Sequence, residues 1–276
     1  MSAVKSSNPP IPGFLQFVTI VECIVVFVAA AGLFFWPGYA RDLWAWAVPP
    51  FNSRYVGAIY FAALLPLAIA AVSARWSPGR VVHWMILVFT ATIGLVMLVH
   101  FRNFEWARPA TWGFWFLYLF LPLNAVVFLF RLRNLQAASA VPTPLPLAGL
   151  FLLLAVALGL HGLGLLIAPQ LVSAYWPWPI DAFHGRIYAA TFLTPAVGAL
   201  VMLRRSSSAE RLTVGLGLLT LGLLSIVSVV WTSLTVPPAA QVDYRALGTW
   251  AFFMLNLLLA FAGLLLLGAA AWRQRA

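Results

Sequence analysis

Asp181, His184 and Arg186 set a carboxylate, an imidazole and a guanidinium within six residues. Such a group is the first place to look for chemistry in this chain, and it also occurs in many loops as a plain ion pair with a hydrogen-bonded imidazole. Positions 132 earlier hold Pro49, Asn52 and Arg54 instead, so the grouping occurs once. A second candidate is Glu22, inside a long apolar run, where an ionised carboxylate costs several kcal/mol and marks a functional position by default. Its mate 132 residues on is Leu154, while His161 falls at the position matching Ala29, seven residues or about two helical turns from the Glu22 position. Glu22 and His161 are therefore expected on one common helix face, facing one cavity if the first and fifth spans meet. The plainer alternative is a Glu bonded to nearby backbone and a His reaching outward.

His83, His100 and His161 fall in or beside apolar runs, and histidine is the usual axial ligand of helical membrane cytochromes. His83 and His100 are 17 residues apart, about 25 Å along a helix, and so near opposite membrane faces. His100 and His161 share one half of the membrane and are the pair that a single haem would use. Zinc-helix, nucleophile-turn and phosphate-loop signatures are missing from the sequence, which favours a non-enzymatic reading with no cofactor. The single Cys23 leaves no disulfide framework.

The elements that must hold these residues are membrane helices. The 276 residues are 63% hydrophobic and 8% charged, with a mean hydropathy of +0.98, which excludes a soluble domain. Apolar runs at 14–36, 55–73, 81–100, 111–130, 146–168, 187–203, 212–233 and 248–271 are each of the length a bilayer core requires. The fold class is all-α, a polytopic bundle of about eight spans. A cleavable signal peptide is the lesser reading of the first run, which is long and contains Glu22.

The net charge of +10 is scattered between the runs and forms no basic face, which argues against nucleic acid. Membrane topology accounts for it. With the N-terminus inside, inner segments hold Lys5, Arg75, Arg80, Arg131, Arg133, Arg204, Arg205, Arg211, Arg273 and Arg275. Outer segments hold Arg41, Arg54, Arg102, Arg108, Arg186 and Arg245. Both termini are thus expected on the cytoplasmic side of the cell membrane.

Sliding the chain by 132 residues, the distance from Trp44 to Trp176, also matches Pro37 with Pro169, Trp46 with Trp178, Phe51 with Phe183 and Arg54 with Arg186. A shift of one brings Arg80 onto Arg211, and an insertion later Thr111 and Trp112 meet Thr249 and Trp250. Two tandem four-helix repeats with the same membrane sense follow, at 14–134 and 146–276, after a tail of 1–13 and joined by a Pro-rich linker at 135–145.

The loop after the first span of each repeat carries Trp44, Trp46 and Arg54, then Trp176, Pro177, Trp178 and Arg186. Here the chain resembles bacterial multi-pass membrane proteins with a Trp-Pro-Trp motif followed, about eight residues on, by an Arg opening the next helix. The resemblance implies a membrane location and assigns no activity; the first repeat has Ala45 where the second has Pro177. Two Trp at i and i+2 in a Pro-interrupted segment do not share a helix face, so these loops are expected to lie at the outer interface with their indoles at the headgroups. With Asp181, His184 and Arg186 they form either anchors and loop staples or an outer binding site for a lipid headgroup, a quinone ring or an apolar solute.

The leading functional expectation is a lipid or hydrophobe binder, or an accessory subunit of a membrane assembly, with membrane lipids and other membrane subunits as partners. A small transporter or channel using Glu22 is second. A membrane oxidoreductase with one haem or a quinone site is third.

Overall fold

A computed structural model describes residues 8–136 and 140–272. In chain order the elements are α1 (Gly13–Phe35), α2 (Pro37–Leu43), α3 (Pro50–Ser73), α4 (Trp76–Val99), α5 (Pro109–Arg131), β1 (Val141–Pro142), α6 (Leu145–Ile167), α7 (Pro169–Ser173), α8 (Ala182–Met202), β2 (Arg205–Ser206), α9 (Ser208–Thr235) and α10 (Leu247–Trp272). Eight of the helices are long and apolar enough to cross a membrane, so the chain is an all-α integral membrane protein. Lys5, Arg273 and Arg275 lie outside the described residues.

Four spans begin four or five residues before the apolar runs at 55, 81, 187 and 212. Their first turns are polar, and local chemistry starts the helix there rather than hydropathy. Pro50 sits in the first turn of α3, where its missing N–H costs nothing. Asp181 caps α8 by accepting from the His184 backbone N–H at 2.8 Å. Ser207 and Glu210 cap α9 reciprocally, at 3.1 and 2.9 Å. Arg54, Arg80, Arg186 and Arg211 consequently stand inside their helices, in the second turn.

Helix contacts run in two rows, α1–α3–α9–α10 and α6–α8–α4–α5. Each row runs through two helices of one half and then two of the other, so the halves stand side by side and meet where α3 packs on α9 and α4 on α8. The central α3, α4 and α8 are the most enclosed, while about two thirds of α1, α5 and α6 stays unburied and forms an apolar rim, the surface that acyl chains cover. α1 and α6 sit at opposite row ends, which separates Glu22 from His161.

One end of the bundle gathers the residues before α1, the turn from α3 to α4, the inter-half connector and the turn from α8 to α9. Ile11 donates its N–H to the Ala74 carbonyl at 3.0 Å, β1 pairs antiparallel with β2, and the Ser77 and Ser207 hydroxyls meet at 2.5 Å. The Pro-rich linker is therefore tied down at 141–143, with Thr143 Oγ1 donating to the Met202 carbonyl at 2.8 Å; residues 137–139 lie outside the described residues. We call this end the connector face.

Candidate functional site

α1, α3, α4 and α5, with α8 and α9 behind them, enclose a cavity of about 580 Å³. Its wall is almost wholly aliphatic and aromatic, with Ile59, Met85, Phe89, Phe114 and Leu218 typical. Polar atoms are few and distinct. Glu22 projects from α1, is 8% exposed, and takes no part in the ion pairs of the described residues. The Tyr60 and Tyr118 hydroxyls bond each other at 2.9 Å across α3 and α5. The Trp44 indole N–H and the Thr191 and Thr194 hydroxyls are buried without hydrogen-bond partners. Among the described residues no Lys, Arg or His lines the cavity.

Two helix-interior prolines add acceptors to this wall. Pro66 in α3 and Pro195 in α8 both line the cavity. Each lacks the N–H that would bond the carbonyl four residues earlier, which frees the carbonyls of Ala62 and Thr191, themselves lining residues. The cavity thus presents unmet donors and acceptors within an apolar shell, the composition of a site for a mainly apolar molecule with a small polar end.

The cavity opens sideways between α1 and α5. Val28 on its wall is 64% exposed, and a Cβ built on Gly113 opposite meets nothing within 4 Å. Glycine placement distinguishes the α4–α5 seam beside this opening from its counterpart in the second half, α9–α10. There, a Cβ on Gly222 of α9 would sit 2.7 Å from the Ala260 backbone nitrogen of α10, and one on Gly263 2.6 Å from that of Leu219, so α9 and α10 are in backbone contact. The positions 131 before Gly215 and Gly222 are Trp84 and Ala91, so side chains stand on α4 where α9 has none. Of the glycines in α4 and α5, Gly94 alone faces the partner helix closely, where a Cβ would lie 3.0 Å from the Tyr118 carbonyl oxygen.

The tryptophan loops take a different place from the headgroup surface expected of them. Trp46 is 2% and Trp178 5% exposed, because each loop folds inward onto the other half of the chain. Trp46 meets Phe183 edge-on at 5.4 Å, and Trp178 stacks on Phe51 at 5.5 Å. The Asn52 side-chain oxygen accepts from Trp178 Nε1 at 2.6 Å and from the Tyr188 hydroxyl at 2.9 Å. Trp176 stacks on Tyr188, and Trp44 alone of the four reaches the cavity. These loops are seams between the halves.

Asp181 and His184 come together, Oδ1 to Nδ1 at 2.9 Å. That bond, chief among several, draws the Asp181 carboxyl down to about 2. Arg186 turns away from them, donating from Nε to the Leu166 carbonyl at 3.1 Å and from Nη1 to His100 Nε2 at 2.9 Å. Burial, and then the Arg186 charge, hold His100 below the ordinary histidine range. Arg54 donates to the Thr232 and Thr235 hydroxyls, both at 3.2 Å, and lies 4.9 Å over the Trp231 ring. His161 packs against Phe192 at 4.5 Å, and His83 Nδ1 bonds the Gly79 carbonyl at 2.6 Å.

Of the sequence candidates, the structure brings Glu22 and Trp44 to the cavity and leaves His161 off its wall. Tyr60, Tyr118, Thr191 and Thr194 went unnoticed in the sequence. Hydroxyls inside apolar runs were the available signal, together with Pro66 and Pro195 as helix-interior prolines. Comparison of the chain with protein-family models, curated proteins and solved structures finds no match.

Proposed function

We propose that this chain binds a predominantly apolar small molecule or lipid within the membrane, admitting it from the bilayer between α1 and α5 and meeting its polar end with Glu22, Trp44 and the Tyr60–Tyr118 pair. The observation that carries this reading is the cavity of about 580 Å³, apolar but for Glu22, the bonded Tyr60–Tyr118 pair and a few hydroxyl and indole groups, of which those of Trp44, Thr191 and Thr194 lack partners. Unpaired buried polar groups cost about 1–3 kcal/mol each, and a ligand with complementary groups removes that cost. A ligand carrying only a phosphate is disfavoured, because no cation among the described residues faces the space.

The same placement of Glu22 favours, as a second reading, movement of that molecule across the membrane with Glu22 as the ionisable group in its path. The recurring order of elements, with each half contributing two adjacent helices to each row, supports duplication of a four-span unit. The sixteen basic residues, ten of which the sequence assigns to inner segments and six to outer ones, support a cytoplasmic connector and cytoplasmic termini in a cell membrane.

Photolabelling tests the reading. The full chain in phosphatidylcholine vesicles is exposed to a neutral diazirine-bearing alkyl probe, with and without unlabelled competitor. Saturable labelling at Tyr60, Met85 and Phe89 is expected. Labelling that does not saturate and stays on rim residues such as Phe116 and Leu123 contradicts binding. Glu22→Gln in the same vesicles separates the two readings, since it leaves cavity labelling in place while abolishing any flux that runs through the carboxyl.

A further inference from the structure

A second concavity, of about 320 Å³, opens at the connector face. Its chemistry is the reverse of the first. Three arginines converge on it from three elements: Arg80 from α4, Arg133 just past α5 and Arg205 from β2. Trp76 and Trp84, four residues to either side of Arg80, and Leu129 complete an aromatic and aliphatic wall.

Charge balance within the pocket is incomplete. Arg80 is neutralised, with its Nε 2.9 Å from Glu210 Oε1, and its Nη2 donates to the Arg205 carbonyl at 3.2 Å, fixing β2 beside α4. Glu210 is fully buried and also accepts the Ser207 backbone N–H. Arg133 and Arg205 have no carboxylate partner among the described residues. Arg133 lies 4.0 Å over the Phe130 ring, a contact that positions the guanidinium and leaves its charge unopposed. Arg205 makes one long 3.4 Å contact to Gln136 Oε1. The pocket wall is itself held in place, since the buried Trp76 donates its indole N–H to the Leu135 carbonyl at 3.1 Å.

We propose that this pocket binds a phosphate-bearing anion through Arg133 and Arg205, with Arg80 as the fixed edge of the site. Two guanidiniums with most donors free match the bidentate geometry of phosphate oxygens. Trp84 is 39% exposed at the lipid-facing border, where an indole suits the junction between headgroup and acyl chain. An anionic phospholipid places its phosphate between the arginines and its chain along Trp84; a soluble phosphate shares the first contact and lacks the second.

The test is native mass spectrometry of the full chain in mild detergent, titrated with phosphatidylglycerol or with phosphatidylcholine of the same acyl chains. Wild type is expected to retain phosphatidylglycerol selectively. Arg133→Gln with Arg205→Gln, both at exposed positions, should weaken retention roughly 30-fold, the equivalent of about 2 kcal/mol at ~1 kcal/mol per arginine. Arg102→Gln with Arg245→Gln removes the same charge at the opposite end and should leave retention unchanged. Inorganic phosphate at matched ionic strength distinguishes the source: arginine-dependent displacement of the lipid identifies free phosphate as a ligand, and failure to displace assigns the site to the headgroup. Equal retention by wild type and the Arg133/Arg205 variant, or equal loss in the Arg102/Arg245 variant, overturns the proposal.

Discussion

Arg54 and Arg186 stand 132 positions apart and reach across the bundle to residues 131 apart, Trp231 and His100. One guanidinium meets a ring face that never titrates, the other an imidazole nitrogen that must stay unprotonated to accept its hydrogen bond. His100 is held below its ordinary range, so the unfolded chain takes up this proton before the folded one does. The stability from a depressed value is fully present above the unfolded value and is lost as pH falls through that value toward the folded one. Thermal unfolding of the full chain should therefore show a falling midpoint from pH 7.5 to pH 5, and His100→Gln should flatten that slope. An identical slope in the variant contradicts the assignment. At this scale Glu22 was legible, because one carboxylate in an apolar run stands out. The burial of Trp46 and Trp178 was not, since their partners Phe183 and Phe51 lie more than a hundred residues away and local spacing carries no trace of them.

At the scale of elements, the eight spans were readable from run length, and their early starts were not. Hydropathy registers the core of a span, whereas Pro50, Asp181 and the Ser207–Glu210 box set where the helix begins. Glycines then decide how closely helices approach. They act selectively: Gly222 lies in backbone contact with α10, while Gly113 faces open space. Gly222→Ala should destabilise the chain by about 1–3 kcal/mol, the cost of overpacking, whereas Gly113→Ala should be neutral or slightly stabilising, as expected in a helix interior. Denaturant unfolding in a fixed detergent measures both, and comparable losses would refute the contrast between a closed α9–α10 seam and an open α1–α5 gap.

For the whole molecule, the cavity lies among the four spans of the first half and is closed by the second: α1, α3, α4 and α5 supply most of its wall, and Thr191, Thr194, Pro195 and Leu218 come from beyond the connector. Periodicity within one segment cannot show such a site, which exists only once α3 has packed on α9 and α4 on α8. The same arrangement removes Glu22 and His161 from a shared space, since their helices end opposite rows. The proposed function rests on a bilayer-facing entrance between α1 and α5, and Gly113 offers a direct way to close it, because its missing Cβ points into empty space and a large side chain can fill the opening without displacing backbone. Gently solubilised wild type, analysed intact by native mass spectrometry, should carry an apolar adduct in stoichiometric amount. Gly113→Trp, with unchanged thermal stability, should lose roughly nine tenths of it or more, a tenfold fall in occupancy; a variant that carries the same adduct at the same occupancy would contradict entry by this route.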